Sequence, residues 1–365
     1  MKEEKKIKLL YILPSLASGG AERFTLDLIY HLDLNRFDPY LLLFSSSGFF
    51  YNEALEKGVK IKILKKRFKI DLFNFLGIFN YIRRIKPDIV HTQLGGDYYG
   101  KIAAKLAGVK NIISTEQNVS SNDNNLLRCL KKKTARFSKK IVAISSAVKE
   151  DLINKYQVPE SKIPLIFNGV NIEKFQQDRK AGFDDREIVL GSVGRLHEQK
   201  NFSLLIKALS KLKSTNFKCL ILGSGPLEED LKQEIKDLKL DSRVFLLGSS
   251  SDVKGFLAQL DFFVLPSKWE GLGIVLLEAG LSSLPVLASA TGGILDLIKD
   301  QETGVLFENG NLDDLVNKLE YFLNPKNKEI LDTWGVNLFN FVKNNFSMEK
   351  IAQDYQKLYL EIIRE

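Results

Sequence analysis

The chain has 365 residues, 44% hydrophobic and 27% charged, a globular composition with length for two cores of about 150–200 residues each. No apolar run approaches the roughly 18–20 residues of a membrane span, the opening "MKEEKKIKLLYIL" lacks a signal-peptide cleavage site, and two distant cysteines, Cys129 and Cys219, give neither a disulfide framework nor zinc-ligand spacing. The net charge of +8 is uneven: residues 1–168 hold 29 Lys+Arg against 16 Asp+Glu, whereas residues 169–365 hold 24 against 29.

In chain order, "KIKLLYILP" (6–14) predicts a strand, "SLASGG" a turn, and "AERFTLDLIYHL" (21–32) a helix with Phe24, Leu28, Ile29 and Leu32 at helical spacing. "YLLLF" (40–44) and "VKIKIL" (59–64) follow as strands. "PDIVHTQ" (87–93) and "NIISTEQ" (111–117) are further strands, separated by the helical "YYGKIAAKLAG", and "KKIVAISS" (139–146) opens another strand–helix pair. Two clusters, "KIKILKKRFKI" (60–70) and "LLRCLKKKTARFSKK" (126–140), interleave bases with apolar residues. They suit an anionic membrane surface or, equally, the solvated face of a lysine-rich protein; no nucleic-acid recognition motif accompanies them.

The pattern then restarts. "EIVLGSVGR" (187–195), "FKCLILGSG" (217–225), "RVFLLG" (243–248), "DFFVLPS" (261–267) and "PVLAS" (285–289) read as strands, each followed by a helical stretch, and "SMEKIAQDYQKLYLEIIRE" closes the chain as an amphipathic helix. Short strands alternating with helices predict an α/β protein with two consecutive doubly wound parallel-sheet domains and an interdomain cleft at their carboxyl ends. The join is placed in "IPLIFNGVNIEKF" (163–175), giving domains at 1–166 and 167–346 with a final helix over about 347–365 that returns to the first.

Several loops at strand ends carry candidate chemistry. In "GSVGRLHEQKN", Arg195 and Lys200 flank a short polar loop, and two fixed cations at the mouth of a sheet suit a diphosphate. In "LILGSGPLEEDL", Gly225 lies in a glycine turn that lets backbone approach a phosphate or merely joins strand to helix. In "PSKWEGLGIVLLEAG" the acids Glu270 and Glu278 bracket an apolar run. Were that run wholly helical they would stand roughly 12 Å apart, suited to gripping two ends of one elongated ligand through its hydroxyls. "WEGLG" reads as a loop and "IVLLEAG" as the start of a helix whose free N–H groups favour phosphate oxygens. In the first half, Gly19 and Gly20 permit close backbone approach, and His91 and Gln93 sit at a strand's carboxyl end; a satisfied core histidine is the alternative for His91. "STEQN" (114–118) offers Glu116, Gln117 and Asn118 to an acceptor.

These residues resemble the retaining glycosyltransferases of family 4 (glycosyl transferases group 1), which have the GT-B fold of two Rossmann-like domains. The resemblance spans nearly the whole chain and rests on "SGGAERF" (18–24), "PDIVHTQ" (87–93), "FNGVNIEKF" (167–175), "GRLHEQKN" (194–201), "GSGPLEEDL" (223–231) and "EGLGIVLLEAG" (270–280). It implies Glu270 against the donor sugar, Glu278 on the ribose, Arg195 and Lys200 at the diphosphate, and the backbone of Gly271, Leu272, Gly273, Ile274 and Val275 at sugar hydroxyls and phosphate. It implies no cofactor beyond a nucleoside diphosphate sugar and no essential metal, and the chain has no Asp-x-Asp. Many relatives carry histidine where this chain has Gln93 and Gln117, and glutamate where it has Asp296.

The resulting expectation is a cytoplasmic transferase at the inner face of the membrane. It would move a hexosyl or N-acetylhexosaminyl unit, UDP-linked in preference to GDP-mannose, to a lipid-linked glycan acceptor. A UDP-N-acetylglucosamine 2-epimerase-like isomerase and a binding-only relative are the alternatives; the glutamate pair argues against the first, and Gln93 and Gln117 give the second its basis.

Overall fold

The computed structural model describes residues 5–17, 19–68, 71–94, 97–119, 125–175 and 187–365, and the side chains of these apart from 125–127. Ser18 of the first glycine turn, Lys69 and Ile70 of the first basic cluster, and Gly95 and Gly96 after the fourth strand lie outside the described residues. The chain divides into two compact units, Met1–Gly169 with Met348–Glu365, and Val170–Ser347.

Unit 1 contains β1 (Ile7–Leu13), α1 (Gly20–Tyr30), β2 (Phe37–Leu43), α2 (Tyr51–Glu56), β3 (Lys60–Ile63), α3 (Leu72–Ile85), β4 (Ile89–Gln93), α4 (Asp97–Leu106), β5 (Asn111–Glu116), α5 (Asn125–Ala135), β6 (Lys140–Ala143) and α6 (Ser146–Asn154). Its described strands pair in parallel in the order β3-β2-β1-β4-β5-β6. Helices cover both faces of the central strands, so Leu9 to Leu13 of β1 form a buried apolar run and all of β4 is buried, its polar His91, Thr92 and Gln93 included. Helix starts follow local chemistry: Asp71 accepts from the Asn74 N–H to cap α3, and Ser145 accepts from the Val148 N–H to cap α6.

Unit 2 contains α7 (Ile172–Phe175), β7 (Ile188–Val193), α8 (Phe202–Ser210), β8 (Phe217–Leu222), α9 (Glu228–Asp237), β9 (Val244–Leu246), α10 (Val253–Leu257), β10 (Phe262–Leu265), α11 (Ile274–Leu281), β11 (Val286–Ser289), α12 (Ile294–Leu297), β12 (Val305–Phe307), α13 (Leu312–Leu323) and α14 (Lys328–Asn345). Its described strands are parallel in the order β12-β11-β10-β7-β8-β9. Phe202, Leu205 and Leu209 of α8 pack with Phe217 and Ile221 of β8, Phe262 of β10 and Phe322 of α13 in one core. The expected helices in "DVKGFLAQL" and "GGILDLI" shrink to one turn or little more, because each follows a turn and runs directly into the next loop.

Both sheets reverse their strand order once, between β1 and β4 in unit 1 and between β7 and β10 in unit 2. Loops on either side of such a reversal run apart and leave a hollow at the strands' carboxyl ends, where ligands of open α/β sheets bind. The last helix, α15 (Met348–Arg364), belongs to unit 1 and packs beside α1. Its Tyr359 hydroxyl lies 3.0 Å from that of Tyr11 on β1, and its Tyr355 hydroxyl 3.2 Å from Oγ1 of Thr115 on β5.

Candidate active site

In unit 2 the loops at the reversal carry the strongest constellation. After β7 the chain forms a short turn over Glu198–Lys200, and after β10 it runs through Ser267 and Glu270 into α11. Lys200 Nζ lies 2.5 Å from Glu270 Oε1, and the same oxygen accepts from Ser267 Oγ at 2.7 Å. Glu270 is buried and Lys200 half-buried, so the pair spans the reversal between β7 and β10 with its charges largely out of water. Backbone ties hold the two loops in register: the Lys268 N–H donates to the Gln199 carbonyl at 2.8 Å, and Gln199 Nε2 donates to the Trp269 carbonyl at 3.0 Å.

Close backbone approach explains the glycines here. Gly292, at φ +52°, and Gly293 form the turn before α12, where a Cβ would collide with the carbonyl oxygens of Glu270 and Gly271 respectively. The Gly293 N–H donates to the Glu270 carbonyl at 3.2 Å. Gly225 likewise lies against the Leu196 carbonyl, so its own chain takes the space a Cβ would need. Its lack of a side chain therefore has a packing cause, and Leu196 in turn receives the Leu227 N–H at 3.1 Å.

Helix α11 begins at Ile274, as expected of "IVLLEAG", because Gly273 at φ +87° turns the chain in the left-handed region and forms the N-cap without a side-chain hydrogen bond. The Leu276 N–H donates to the Gly273 carbonyl at 2.8 Å, no side chain of that residue caps the N–H groups of Ile274 and Val275, and the helix dipole favours negative charge there. Gly271 and Leu272 are thus loop residues and Ile274 and Val275 the first helical ones. Helical rise does not set the whole Glu270–Glu278 separation, since three of the intervening residues are loop. Glu278 is half-buried on an otherwise apolar helix. Arg195 is exposed after β7 and makes no ion pair among the described residues. These loops carry groups that can meet an anion: a helix start without a side-chain cap, an exposed guanidinium and an ammonium paired with a buried carboxylate.

In unit 1, Gly19 is the N-cap of α1 and Gly20 its first residue, again without a side-chain cap. Burial raises the carboxyl pKa of Glu22 in that first turn. Gln93, at the end of β4, is wholly buried; its Oε1 accepts from Thr25 Oγ1 at 3.1 Å and from Gln117 Nε2 at 3.0 Å. Gln117 Oε1 accepts from Asn168 Nδ2 at 2.8 Å, and among the described residues Gln93 Nε2 and Asn168 Oδ1 have no hydrogen-bond partner. Glu116 Oε2 pairs with Lys131 Nζ at 3.4 Å, its carboxyl pKa raised by burial against the opposing effect of that lysine, while Asn118 is exposed.

His91 is corrected from a ligand-facing residue to a core one. It lies in the middle of β4 with no exposure, its Nδ1 2.7 Å from Tyr359 Oη and its Nε2 2.8 Å from Thr115 Oγ1. Burial drives its pKa down to about 3, so the ring is neutral and locks α15 onto the sheet. Sequence reading overlooked Ser267, which shares Glu270 Oε1 with Lys200, and the brace formed by Gly292 and Gly293. A serine straight after a buried strand and a glycine pair before a helix were the available signals. Asn168, which lies in the expected domain join "IPLIFNGVNIEKF", joins the Gln93–Gln117 chain.

Comparison with known families decides the identity of this arrangement. Residues 18–174 match Glycosyltransferase Family 4, and residues 173–334 match Glycosyl transferases group 1. The chain belongs to this glycosyltransferase family.

Among its relatives, an Escherichia coli UDP-Gal:alpha-D-GlcNAc-diphosphoundecaprenol alpha-1,3-galactosyltransferase is 27% identical over 98% of each chain. A Campylobacter jejuni N-acetylgalactosamine-N,N'-diacetylbacillosaminyl-diphospho-undecaprenol 4-alpha-N-acetylgalactosaminyltransferase is 28% identical over 87% of this chain and 90% of its own. Anabaena HepE, solved with UDP and glucose, superposes with a TM-score of 0.86 at 20% identity, covering 97% of this chain and all of its own. This glycosyltransferase shares their GT-B fold, seen here as two six-stranded parallel sheets flanked by helices.

Proposed function

We propose that this glycosyltransferase transfers a hexosyl or N-acetylhexosaminyl unit from a UDP-sugar to a lipid-linked glycan acceptor, with retention of anomeric configuration and without a metal. The observation that carries the reading is the Lys200–Glu270–Ser267 cluster in the loop that leads into α11, whose start has no side-chain cap. Arg195, Lys200 and the N–H groups of Gly271 to Val275 would neutralise the diphosphate, which departs with two negative charges to be stabilised. Both hydrogen bonds to Glu270 fall on Oε1, which leaves Oε2 to accept from a hydroxyl of the transferred sugar. Glu278 would accept from the ribose.

In the step itself the acceptor hydroxyl oxygen bonds to the anomeric carbon as the bond from that carbon to the diphosphate oxygen breaks. The hydroxyl proton passes to the leaving diphosphate, so no separate protein base is required. Gly19, Gly20, Gln93 and Gln117 belong to the acceptor side of this reading, where the buried amides of Gln93 and Gln117 would order backbone around the acceptor as uncharged groups. The names of the Escherichia coli and Campylobacter relatives support an undecaprenyl diphosphate-linked acceptor, and HepE with UDP and glucose supports the donor. Such an acceptor, with a nucleotide-sugar donor, would place the enzyme at the cytoplasmic face of a membrane.

The test is incubation with UDP-galactose, UDP-N-acetylglucosamine, UDP-glucose and GDP-mannose, each with a polyprenyl diphosphate-linked sugar, with products read by mass spectrometry and NMR. A glycosylated lipid with an α linkage, formed in the presence of a chelator, is expected. An epimerised donor formed without acceptor, or a product that requires a divalent metal, would overturn the proposal.

A further inference from the structure

The helical layer α3–α4–α5 on one face of the unit 1 sheet carries a surface that the site does not use. Phe73 is 87% exposed, Phe68 70%, Leu72 67% and Leu76 45%. Leu72, Phe73 and Leu76 occupy the first turns of α3, and Phe68 lies in the loop before it. Four large apolar side chains within nine residues exceed the scattered exposure normal for a soluble surface.

Their outward position is built rather than accidental. Asp71 binds the Arg67 N–H at 2.8 Å and the Asn74 N–H at 2.9 Å, closing the loop onto the helix start. Buried Asn74 reaches the Leu64 carbonyl, and Ile78 and Ile82 anchor the inner face of α3 in the core. With those positions inside, Leu72, Phe73, Leu76, Asn80, Arg83 and Arg84 fall within about 120° of arc on the outer face. The stripe thus runs from apolar at the start of α3 to cationic at its end.

Charge says what covers it. Residues 60–86 hold nine Lys+Arg and one acid, Asp71, and that carboxylate is turned inward on backbone N–H groups. Lys65 and Arg67 beside Phe68 are exposed, and α5 continues the basic surface with exposed Arg128, Lys132 and Lys133. Apolar side chains that can enter an acyl boundary, rimmed by cations without acids, fit an anionic bilayer. Helix α3 also starts where β3 ends, so its apolar turn lies at the same end of the sheet as Gln93 and Gln117.

We infer that the start of α3, with Phe68, Leu72, Phe73 and Leu76 rimmed by Arg67, Arg83 and Arg84, is the face by which this enzyme docks on an anionic phospholipid surface. The inference rests on the lipid-linked acceptor reading only in its choice of partner. Docked there, the acceptor end of the unit 1 sheet faces lipid, which suits a sugar that projects from a membrane on a diphosphate.

The test is co-sedimentation of the full chain with vesicles of phosphatidylcholine alone and of phosphatidylcholine mixed with phosphatidylglycerol. Wild type should bind the mixed vesicles and release in high salt. Phe73→Asp, and separately the pair Arg83→Glu and Arg84→Glu, should each weaken partition by about tenfold or more. Leu295→Asp, an exposed apolar position of unit 2, should leave it unchanged. Thermal melts and UDP binding should match wild type in all variants. Wild type indifferent to mixed vesicles, or α3 variants that bind them as wild type does, would overturn the assignment. So would a wild type that dimerises, together with a Phe73→Asp variant whose only change is loss of that dimer. Failure of UDP binding in the wild type would instead count against the transferase reading, and the vesicle result stands apart from it.

Discussion

Removing Lys200 should expose how far the Glu270 carboxylate depends on it. The pair lies 2.5 Å apart with 16% and 7% of the two side chains exposed, and Ser267 is the other hydrogen-bond donor to Glu270. Breaking a fully buried ion pair from one side costs about 3–5 kcal/mol; partial exposure of Lys200 reduces this to about 1–3 kcal/mol for Lys200→Met. Glu270→Gln, which keeps an acceptor for Ser267 and leaves a half-buried lysine, should cost about 1 kcal/mol. In the double variant the charges leave together, so its loss should fall short of the sum by about 1–2 kcal/mol. Urea unfolding of the four proteins measures the cycle. Sugar transfer should behave otherwise: Lys200→Met should lower kcat by about 10²–10³, and the double variant should not recover it. Additive stability losses, or turnover within a few-fold of wild type for Lys200→Met, would refute the assignment of a coupled pair at the diphosphate.

His91 predicts a pH dependence with a definite sign. Its pKa lies near 3 in the folded chain and about 6.5 unfolded, so its stabilising contribution is complete above pH 6.5 and is lost as pH falls toward 3. Stability of the wild type should therefore fall on acidification through this window by up to about 1.4 kcal/mol per pH unit more than that of His91→Gln; equal slopes would remove the core assignment. Gly293→Ala should destabilise by about 2 kcal/mol or more and abolish sugar transfer, because the added methyl meets the Gly271 carbonyl; a thermal melt and activity equal to wild type would show that the brace can relax. Tyr359→Phe removes the hydroxyl shared by His91 and Tyr11 and should cost about 1–3 kcal/mol in urea unfolding, with no cost expected if that network adds nothing.

Much of the fold was legible because parallel sheets write themselves plainly. "LLYIL" and "FFVL" are unbroken apolar runs flanked by proline or polar residues, "DIVHTQ" is a shorter apolar start behind a proline, and each became a strand within a residue or two. Spacing along the chain sufficed to set Glu270 and Glu278 of the candidate site on either side of the glycine that starts α11. What escaped needs contacts across many residues. Nothing local to His91 reveals that Tyr359, 268 positions later, closes over it and turns a strand-end histidine into core. The Lys200–Glu270 pair spans 70 residues, and sequence assigned its members to separate parts of one ligand where the structure joins them. Gly225 looked like a phosphate turn because a glycine that makes room for a ligand and one that makes room for the Leu196 carbonyl read alike.

Calorimetric titration of UDP into wild type, Arg195→Ala and Glu278→Ala tests the central claim most directly. Saturable binding by the wild type is expected, weakened about 10–100-fold in each variant through loss of one charge-assisted contact, to the diphosphate or to the ribose. No binding of UDP or GDP by the wild type, or binding unchanged in both variants, would contradict a nucleotide site at the start of α11.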